Sequence, residues 1–253
     1  VLGRYRFRDP QQAFRNLAAL STERIRFLST RRCRHFLASI APRLLKAVAA
    51  TPDPDSTLVN LEHVSDSLGG KGVLWELFSF NPPSMKLYVE LCASSPYLSA
   101  ILTGNPGMID ELMDGLVLNK LPTRNDLRDN LEELCAGAED MEPILHSFKN
   151  AGLLRIGVRD ILGKEDVQQI GRALSDLAET CLERVVRDEY EKLVEKLGEP
   201  TIEEEGNSRH GEPCGFVVVG LGKLGAREMS YRSDLDLVFL YEAEGHTAFH
   251  RPR

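Results

Sequence analysis

One apolar face repeats along the segment from about residue 164 to residue 197. Its members follow one another in steps of three or four residues: Leu174, Leu177, Cys181, Leu182, Val185, Val186, Tyr190, Leu193, Val194 and Leu197. Such spacing places side chains on one side of an α-helix. Gly198 and Pro200 follow at once, which is typical of a helix end. The pattern predicts one long amphipathic helix over residues 164–197.

Shorter helical patterns occupy the chain before this helix. Asp9, followed by proline, is a typical helix start, and the apolar spacing behind it predicts helix through Leu28, in one piece or two. A second helix is predicted near residues 33–48, and residues 51–56 then break the pattern. Later prolines each mark a restart, because proline disfavours helix just before it. The predicted short helices cover residues 71–80, 83–93, 95–103 and 106–116.

The character of the sequence changes after the long helix. Residues 198–213 are polar and rich in Gly and Pro, which is typical of a linker or an exposed loop. Two compact apolar runs follow, at residues 216–219 and 235–241, and both predict β-strands. Only a glycine-rich turn and a short helix fit between them. The order predicts a mainly α-helical part followed by the start of a part that contains a sheet.

Composition places the chain among ordinary globular proteins. Of its 253 residues, 42% are hydrophobic and 27% are charged, which excludes a disordered tail. No apolar run approaches the roughly 20 residues of a membrane helix, and no signal peptide is recognised. Because residue 1 is not methionine, we expect an internal segment of a longer protein. The five scattered cysteines lack C-x-x-C spacing, which predicts reduced thiols in a cytoplasmic protein, without zinc or disulfides.

Charge is distributed unevenly along the chain. Residues 1–50 carry a net charge of +9 and the remainder carries −16, so that the total is −7. A basic arm of this kind can bind nucleic acid or an acidic partner. Aromatic side chains do not interleave with these charges as stacking platforms would. The pattern favours a solvated or interdomain helix surface, and we expect neither nucleic acid nor a membrane as a partner.

The first feature that carries chemistry is a strand, a glycine-rich turn and a short helix beginning at Gly220. Gly222 and Gly225 allow unusual backbone angles and the close approach of a ligand. Free N–H groups at the start of a helix suit phosphate, and Lys223 adds a positive charge for a triphosphate.

The second feature is the acid pair in Ser233-Asp234-Leu235-Asp236. Residues i and i+2 of a strand point to the same face, so we expect both carboxylates at one spot, with Leu235 and Leu237 towards the core. Neighbouring carboxylates repel each other unless a cation neutralises them. Mg²⁺ fits best, because it takes a few carboxylates together with the phosphate oxygens of a nucleotide. A lone D-x-D is common on protein surfaces, but this one directly follows a strand–turn–helix unit.

The same glycines match a dinucleotide-binding fingerprint. Gly220, Gly222 and Gly225 have the G-x-G-x-x-G spacing behind a strand, and Glu242 lies near the position of an acid that binds ribose. Only eight residues separate Gly225 from Asp234, which leaves little room for a crossover helix. A dinucleotide-binding oxidoreductase is therefore the weakest alternative.

Residues 220–242 resemble the signature of glutamine-synthetase adenylyltransferases, a family of the DNA polymerase β-like nucleotidyltransferase superfamily; they read GLGKLGAREMSYRSDLDLVFLYE. The helical stretches SSPYLSAILTGNPGMIDELMD (94–114) and LLRIGVRDILG (153–163) are similar to the same family. The resemblance implies a mainly α fold followed by the start of an α+β nucleotidyltransferase domain with a mixed sheet. The implied segments are a helical module at 1–200, a linker at 201–213 and the truncated domain at 214–253.

The resemblance also implies a reaction. Enzymes of this family have two halves: one transfers AMP from ATP to a tyrosine of glutamine synthetase, and the other removes it with phosphate. The S-D-L-D-L spelling favours the adenylylating half, whereas R-E after the glycines is similar to the removing half. A non-catalytic docking module is a further alternative. The implied partners are glutamine synthetase, with glutamine and a PII-type signal protein as effectors.

Site residues follow from the same motif, with two departures. The third metal-binding acid of the superfamily lies on a later strand, near an R-L-R-P segment that this sequence lacks, so we expect the chain to be inactive alone. Ala226 replaces a usual second glycine. Arg227 and Glu228 belong to the signature, with no role beyond an ion pair that braces the turn. The implied Mg²⁺ ligands are Asp234 and Asp236, and the implied ATP contacts are Gly222, Lys223, Gly225 and Ser233.

Two further motifs imitate functional sites. Residues 69–72, GGKG, are similar to a phosphate loop, but Ser65 and Gly72 stand where glycine and a hydroxyl residue are required. We predict a loop that opens a helix. His246 and His250 have metal-ligand spacing without an accompanying glutamate, which predicts free tail histidines, and Trp75 is predicted in the core.

Overall fold

A computed structural model describes residues 2–25, 27–67, 69–108, 120–203 and 208–247. Across these residues helices come first and strands last, which confirms a mainly α fold followed by the start of an α+β domain. The helices are α1 (Pro10–Leu20), α2 (Thr30–Ala49), α3 (Pro54–Ser67), α4 (Lys71–Phe80), α5 (Pro82–Ser94), α6 (Pro96–Gly104), α7 (Arg124–Cys135), α8 (Glu142–Ile161), α9 (Val167–Leu197) and α10 (Gly222–Ala226). The strands are β1 (Pro200–Ile202), β2 (Phe216–Gly220), β3 (Leu237–Tyr241) and β4 (Gly245–Thr247).

The chain forms two compact units. One comprises residues 1–120 and 150–165, and the other comprises residues 121–149 and 166–253. The second unit therefore includes α7 and α9 together with the four strands. The division into segments 1–200, 201–213 and 214–253 stays a prediction.

Aromatic rings organise the core of the first unit. Trp75 is fully buried, as predicted, with its ring centroid 6.0 Å from that of Phe78, which lies 5.3 Å from that of Tyr88. Trp75 Nε1 donates to the carbonyl oxygen of Leu20 at 3.1 Å, and the Tyr88 hydroxyl lies 3.0 Å from that of Ser65. The polar atoms of the two largest rings are thus satisfied inside the core.

The first helix begins where predicted and ends earlier than predicted. The side chain of Asp9 accepts two N–H groups of the first turn, at 3.0 and 2.9 Å. α1 ends at Leu20, and the described residues between α1 and α2 are not helical, so the prediction of helix through Leu28 is wrong. The Ser21 hydroxyl donates to the carbonyl oxygen of Ala18 at 2.7 Å. Such local bonds compete with continuation of a helix.

α3 is missing from the prediction, which treats residues 51–56 as a break. Pro54 begins the helix. Proline lacks a backbone N–H, but N–H groups in the first turn of a helix have no acceptor within the helix, so proline is tolerated there. Asp53 supports this start by accepting the N–H of Ser56 at 3.2 Å. Proline can thus begin a helix where a neighbouring side chain caps the first turn, although the sequence pattern alone predicts a break in the helix here.

The three proline-separated helices at 71–80, 83–93 and 95–103 are confirmed as α4, α5 and α6. Of the predicted helix at 106–116, Pro106–Met108 form a 3-10 turn, and residues 109–116 lie outside the described residues.

α9 confirms the predicted long helix. Asp166 accepts the N–H of Gln169 at 2.7 Å, and the Gln169 side chain accepts the N–H of Asp166 at 2.8 Å. This reciprocal capping box starts the helix at Val167, slightly later than predicted. The helix ends at Leu197, and Gly198 follows with φ of 85°, a conformation that glycine adopts without strain.

The strands form two antiparallel pairs. β2 pairs with β3, from Phe216 opposite Tyr241 to Gly220 opposite Leu237, and β1 pairs with β4. β1 lies in the stretch predicted as a linker. β3 begins at Leu237, two residues later than predicted. A parallel neighbour, as a mixed sheet requires, is absent from the described strands.

Burial and hydropathy add two facts. Over the described ranges, no helix is both long and apolar enough to cross a membrane. The five cysteines are free, four of them are buried, and Cys181 is half-buried. Burial raises the pKa of Cys92 to about 12, and burial together with Glu23 raises that of Cys33 to about 11. These thiols are protonated at neutral pH and pack as small apolar side chains.

Candidate functional site

A tight turn joins β2 to β3 in the second unit. The chain leaves β2 at Gly220, reverses at Gly222, where φ is 53°, and forms the short helix α10. Arg227 follows the last helical residue, Ala226, and has a left-handed backbone with φ of 58° and ψ of 40°. Glycine adopts this conformation freely, whereas a residue with a Cβ does so at a cost. Other contacts must therefore hold Arg227 in place.

Gly222 lies directly against the carboxylate of Asp236. A Cβ at position 222 would lie 2.6 Å from Oδ2 of Asp236, which is closer than real Cβ atoms come to other atoms. The N–H of Leu221 donates to the carbonyl oxygen of Asp236 at 2.8 Å. The structure thus brings the predicted turn and one predicted acid together, and a Cβ at position 222 would meet an unfavourable positive φ and would require the Asp236 carboxylate to move.

Gly225 serves the packing of α10 on β2. A Cβ at this position would lie 2.5 Å from the carbonyl oxygen of Gly220. The N–H of Gly225 donates to the carbonyl oxygen of Leu221 at 3.0 Å, and the buried Leu224 packs against Gly220. The backbone N–H that the sequence assigns to a triphosphate is therefore engaged within the turn.

The two acids lie in the irregular segment just before β3. Asp234 and Asp236 are both exposed. Leu235 is 40% exposed, so the prediction that it faces the core is wrong. The reason is that the ladder with β2 ends at the pair of Gly220 and Leu237, because β2 turns away at the glycines. The carboxylates therefore lie at the edge of the sheet where the turn meets β3.

Ser233 and Lys223 flank this edge in different ways. The N–H of Ser233 donates to the carbonyl oxygen of Ser230 at 3.0 Å, and the N–H of Ser230 donates to Oγ of Ser233 at 3.0 Å. The two hydroxyls lie 2.8 Å apart. Ser233 thus braces the loop before the acids, and a triphosphate would compete with Ser230 for its hydroxyl. Lys223 is exposed on α10.

Asp234 and Asp236 fit part of a magnesium ligand set. Mg²⁺ takes one or two carboxylates and completes its shell with water and phosphate oxygens. Within the described ranges, no group of three or more His, Cys, Asp or Glu side chains is arranged to hold a metal ion. Two exposed acids beside a glycine turn suit a site that is shared with a nucleotide.

The partners of Arg227 were missed from the sequence. Its guanidinium lies 2.5 Å from Oδ1 of Asp176 and 3.1 Å from Oε1 of Glu179, both on α9. Glu179 also contacts Arg124 of α7 at 2.8 Å. The hydrogen bond to Asp176 raises the pKa of Arg227 further above its usual range. A signal was present, because two acids three positions apart share one face of a predicted helix.

The GGKG stretch is a helix start, as predicted. The carboxylate of Glu23 accepts the N–H groups of Lys71 and Gly72 at 3.2 and 2.7 Å, and therefore occupies the N-terminus of α4. The Lys71 side chain is buried, pairs with Asp66 and donates to the carbonyl oxygen of Ala19 at 2.8 Å. No room is left for a phosphate at this end of the helix.

The second motif that resembles a functional site is the pair of histidines with metal-ligand spacing, His246 and His250. Nδ1 of His246 lies 2.8 Å from a carboxylate oxygen of Glu203, so the prediction of a free histidine is wrong at this position. His250 lies outside the described residues.

The strand pairing contradicts a dinucleotide-binding fold. That fold joins parallel strands through a crossover helix. Here β2 and β3 are antiparallel, and α10 has 5 residues.

Comparison with known proteins agrees with the motif. Residues 85–251 match the sequence model of the family described as glutamate-ammonia ligase adenylyltransferase. Two relatives carry the name bifunctional glutamine synthetase adenylyltransferase/adenylyl-removing enzyme. The one from Thioalkalivibrio sulfidiphilus is 32% identical over 250 residues, which cover 97% of this chain and 26% of that protein. The one from Vibrio parahaemolyticus is 35% identical over 218 residues, which cover 83% and 22%. The chain thus spans about a quarter of the length of these relatives.

Proposed function

Because the chain belongs to the glutamate-ammonia ligase adenylyltransferase family, we propose that it supplies part of a site that transfers AMP from ATP to a tyrosine of glutamine synthetase. One observation carries the proposal: Gly222 lies against the carboxylate of Asp236. If the turn binds phosphate as proposed, this contact places that phosphate beside an acid suited to a metal ion. The names of the two relatives support glutamine synthetase as the protein substrate. Glutamine and a PII-type protein as effectors are proposed from the resemblance alone, and a cytoplasmic location is proposed from the reduced thiols that the cysteine spacing predicts.

The proposed chemistry assigns roles to four residues, two in the turn and two just before β3. Asp234 and Asp236 would hold Mg²⁺, which when bound neutralises charge on the α-phosphate and the departing pyrophosphate. Gly222 lets the backbone approach the phosphates, and Lys223 adds an exposed positive charge. The tyrosine oxygen attacks the α-phosphorus, the bond to pyrophosphate breaks, and the hydroxyl proton leaves to solvent.

The shared name of the relatives favours a second candidate, phosphorolytic removal of AMP. In that reaction inorganic phosphate attacks the same phosphorus, the bond to the tyrosine oxygen breaks, and ADP leaves. The same two acids would serve both reactions. The two candidate reactions are therefore distinguished by which substrates the protein consumes, because the geometry of the site is the same for both.

The test uses the full-length protein with Mg-ATP and unmodified glutamine synthetase, and follows the tyrosine peptide by mass spectrometry. We expect a gain of AMP that becomes about 100-fold slower or more in Asp234→Asn and in Asp236→Asn, since each removes a metal ligand. Asp129→Asn, which changes an exposed acid on α7, is the matched control and should keep the wild-type rate.

Other outcomes decide between the alternatives. ADP formation from modified synthetase and phosphate, without any AMP gain, would identify the removing reaction. Binding to glutamine synthetase without either reaction would overturn the proposal in favour of a docking module.

We further propose that the isolated 253-residue chain is inactive. The described residues offer two acids at the turn, and the resemblance places the third on a later strand. AMP transfer by the isolated chain would refute this.

A further inference from the structure

Arg227 is tied by its side chain to α9, although its backbone belongs to the glycine turn. Nη2 lies 2.5 Å from Oδ1 of Asp176, and Nη1 lies 3.1 and 3.2 Å from the two carboxylate oxygens of Glu179. Its N–H donates to the carbonyl oxygen of Leu224 at 3.0 Å and closes α10. These contacts offset the unfavourable left-handed backbone at this position.

A second, independent contact joins α9 to the same point of the chain. Gly171 is buried on α9, and a Cβ there would lie 3.4 Å from Cα of Glu228 and 3.5 Å from the carbonyl oxygen of Arg227. The helix therefore touches the backbone immediately after the turn. Both the backbone and the side chain of the turn's last residue are docked on one helix.

The acids on α9 form a firm anchor, because α9 is itself bound to α7. Arg124 contacts Glu179 at 2.8 Å and also pairs with Glu183, to which Arg128 donates two hydrogen bonds at 2.8 and 2.6 Å. Burial by itself raises the pKa of Glu183, but the hydrogen bonds from Arg128 and Arg124 outweigh it and lower the pKa. The carboxylate is therefore charged at neutral pH.

We propose that Arg227 is a positioning residue that anchors the glycine turn to α9 and thereby keeps Gly222 against Asp236. The inference rests on the proposed function, because it takes the turn to be the place where the phosphates of ATP bind. The five-residue helix α10 begins at Gly222 and is capped by Arg227, so a shift at one end moves the other. An arginine in this neighbourhood can also bind phosphate, but here both acids of α9 engage its guanidinium.

The first test needs no catalytic activity. Hydrogen–deuterium exchange of the full-length protein reports on residues 220–228, in which the N–H groups of Gly225, Arg227 and Glu228 bond within the turn. Arg227→Ala and Asp176→Asn should each speed exchange in this stretch about tenfold, because the anchor is lost. Unchanged exchange in both variants would overturn the proposal.

Arg187→Ala is the matched control for this measurement. Its side chain is 48% exposed, against 39% for Arg227, and it joins α9 to Glu132 of α7 at 3.0 Å without touching the turn. Exchange over residues 220–228 should therefore match the wild type. Equal acceleration in this variant would mean that any loosening of α9 has the same effect, which would overturn a specific role for Arg227.

The second test separates positioning from direct phosphate binding. Arg227→Ala and Asp176→Asn should both lower kcat about 10- to 100-fold, with KM for ATP changed by less than about threefold, because the phosphates bind but are misplaced. Arg227→Lys should recover part of the rate, since lysine can reach one acid. A raised KM in Arg227→Ala with normal Asp176→Asn would show a phosphate ligand instead and would overturn the proposal.

The two proposals fail in different ways. Wild-type protein without AMP transfer or removal would refute the proposed function. In that case the exchange measurement still decides whether Arg227 holds the turn.

Discussion

At the scale of single residues, a comparison of Gly222 with Gly211 distinguishes the effect of a strained backbone from the effect of contact with Asp236. Gly222 has φ of 53°, and a Cβ there would have to displace the Asp236 carboxylate. Gly211 has φ of 83°, and no atom lies within 4 Å of the place a Cβ would occupy. The positions share the same backbone requirement and differ in their surroundings.

Gly222→Ala and Gly211→Ala should therefore differ in activity more than in stability. Each should lower the free energy of unfolding by about 1–2 kcal/mol, because a Cβ disfavours the left-handed region. Only Gly222→Ala should also slow the proposed AMP transfer by the full-length protein, by about 100-fold, because its methyl group displaces the Asp236 carboxylate. Urea unfolding and the transfer assay measure the two effects. Equal activity of the two variants would contradict a role for the contact between Gly222 and Asp236.

At the scale of elements, α9 is the scaffold of the second unit. On one face of this helix, Asp176 and Glu179 contact the glycine turn, and Glu183 contacts the arginines of α7. The apolar periodicity of this helix predicts its existence and length. The charged residues between the apolar positions of α9 decide which other segments the helix binds, namely the glycine turn and α7.

Glu183→Gln should make stability depend less on pH. Burial raises the pKa of Glu183, but Arg128 and Arg124 bring it below its ordinary value of 4.5. Its charged form thus stabilises the fold above pH 4.5, and this stabilisation is lost as the pH falls through the lowered pKa. At pH 7 the thermal midpoint should fall by about 1–3 °C, since the pair is largely exposed.

Thermal unfolding followed by circular dichroism checks this prediction. The difference between Glu183→Gln and wild type should shrink as the pH is lowered below 4.5. Glu133→Gln, which changes an exposed glutamate of α7, is the control and should show little difference at either pH. A deficit that stays constant with pH would show that charge is not the cause.

At the scale of the whole molecule, the second unit presents a two-stranded sheet with half-exposed apolar side chains. Val217 and Leu240 lie opposite each other on β2 and β3 and are 52% and 49% exposed. On the β2 side that faces α9, a groove of about 780 Å³ remains, in which Tyr190 stacks on Phe216 with ring centroids 6.0 Å apart. Exposed apolar strands promote association between molecules.

Leu240→Lys should reduce concentration-dependent association of the 253-residue chain. A charge on the exposed face of β3 opposes edge and face contacts between sheets. Light scattering or analytical ultracentrifugation over a concentration series measures the change. Val167→Lys adds the same charge at an isolated, 84% exposed position on α9, and should leave association unchanged. An equal effect of both variants would point to net charge alone.

The sequence by itself determined what depends on neighbours along the chain. The long helix α9, the proline-separated helices α4 to α6 and the order of helices before strands follow from periodicity and from the backbone limits of Gly and Pro. The glycine–acid motif is visible for the same reason. Local signals failed where one residue type has two uses, as at Pro54, which starts α3, and at Ser21, which follows the end of α1.

Only the tertiary structure decided which distant residues meet. The acids lie just before β3 because the ladder ends where β2 turns away; the glycines mark that turn in the sequence, but only the pairing decides that Leu237 lies opposite Gly220. Arg227 and Asp176 are 51 positions apart, and they pair because α9 packs beside the backbone that ends the turn, which lies next to Gly171. Such pairing depends on how packed elements place side chains in space, which periodicity along one segment does not encode.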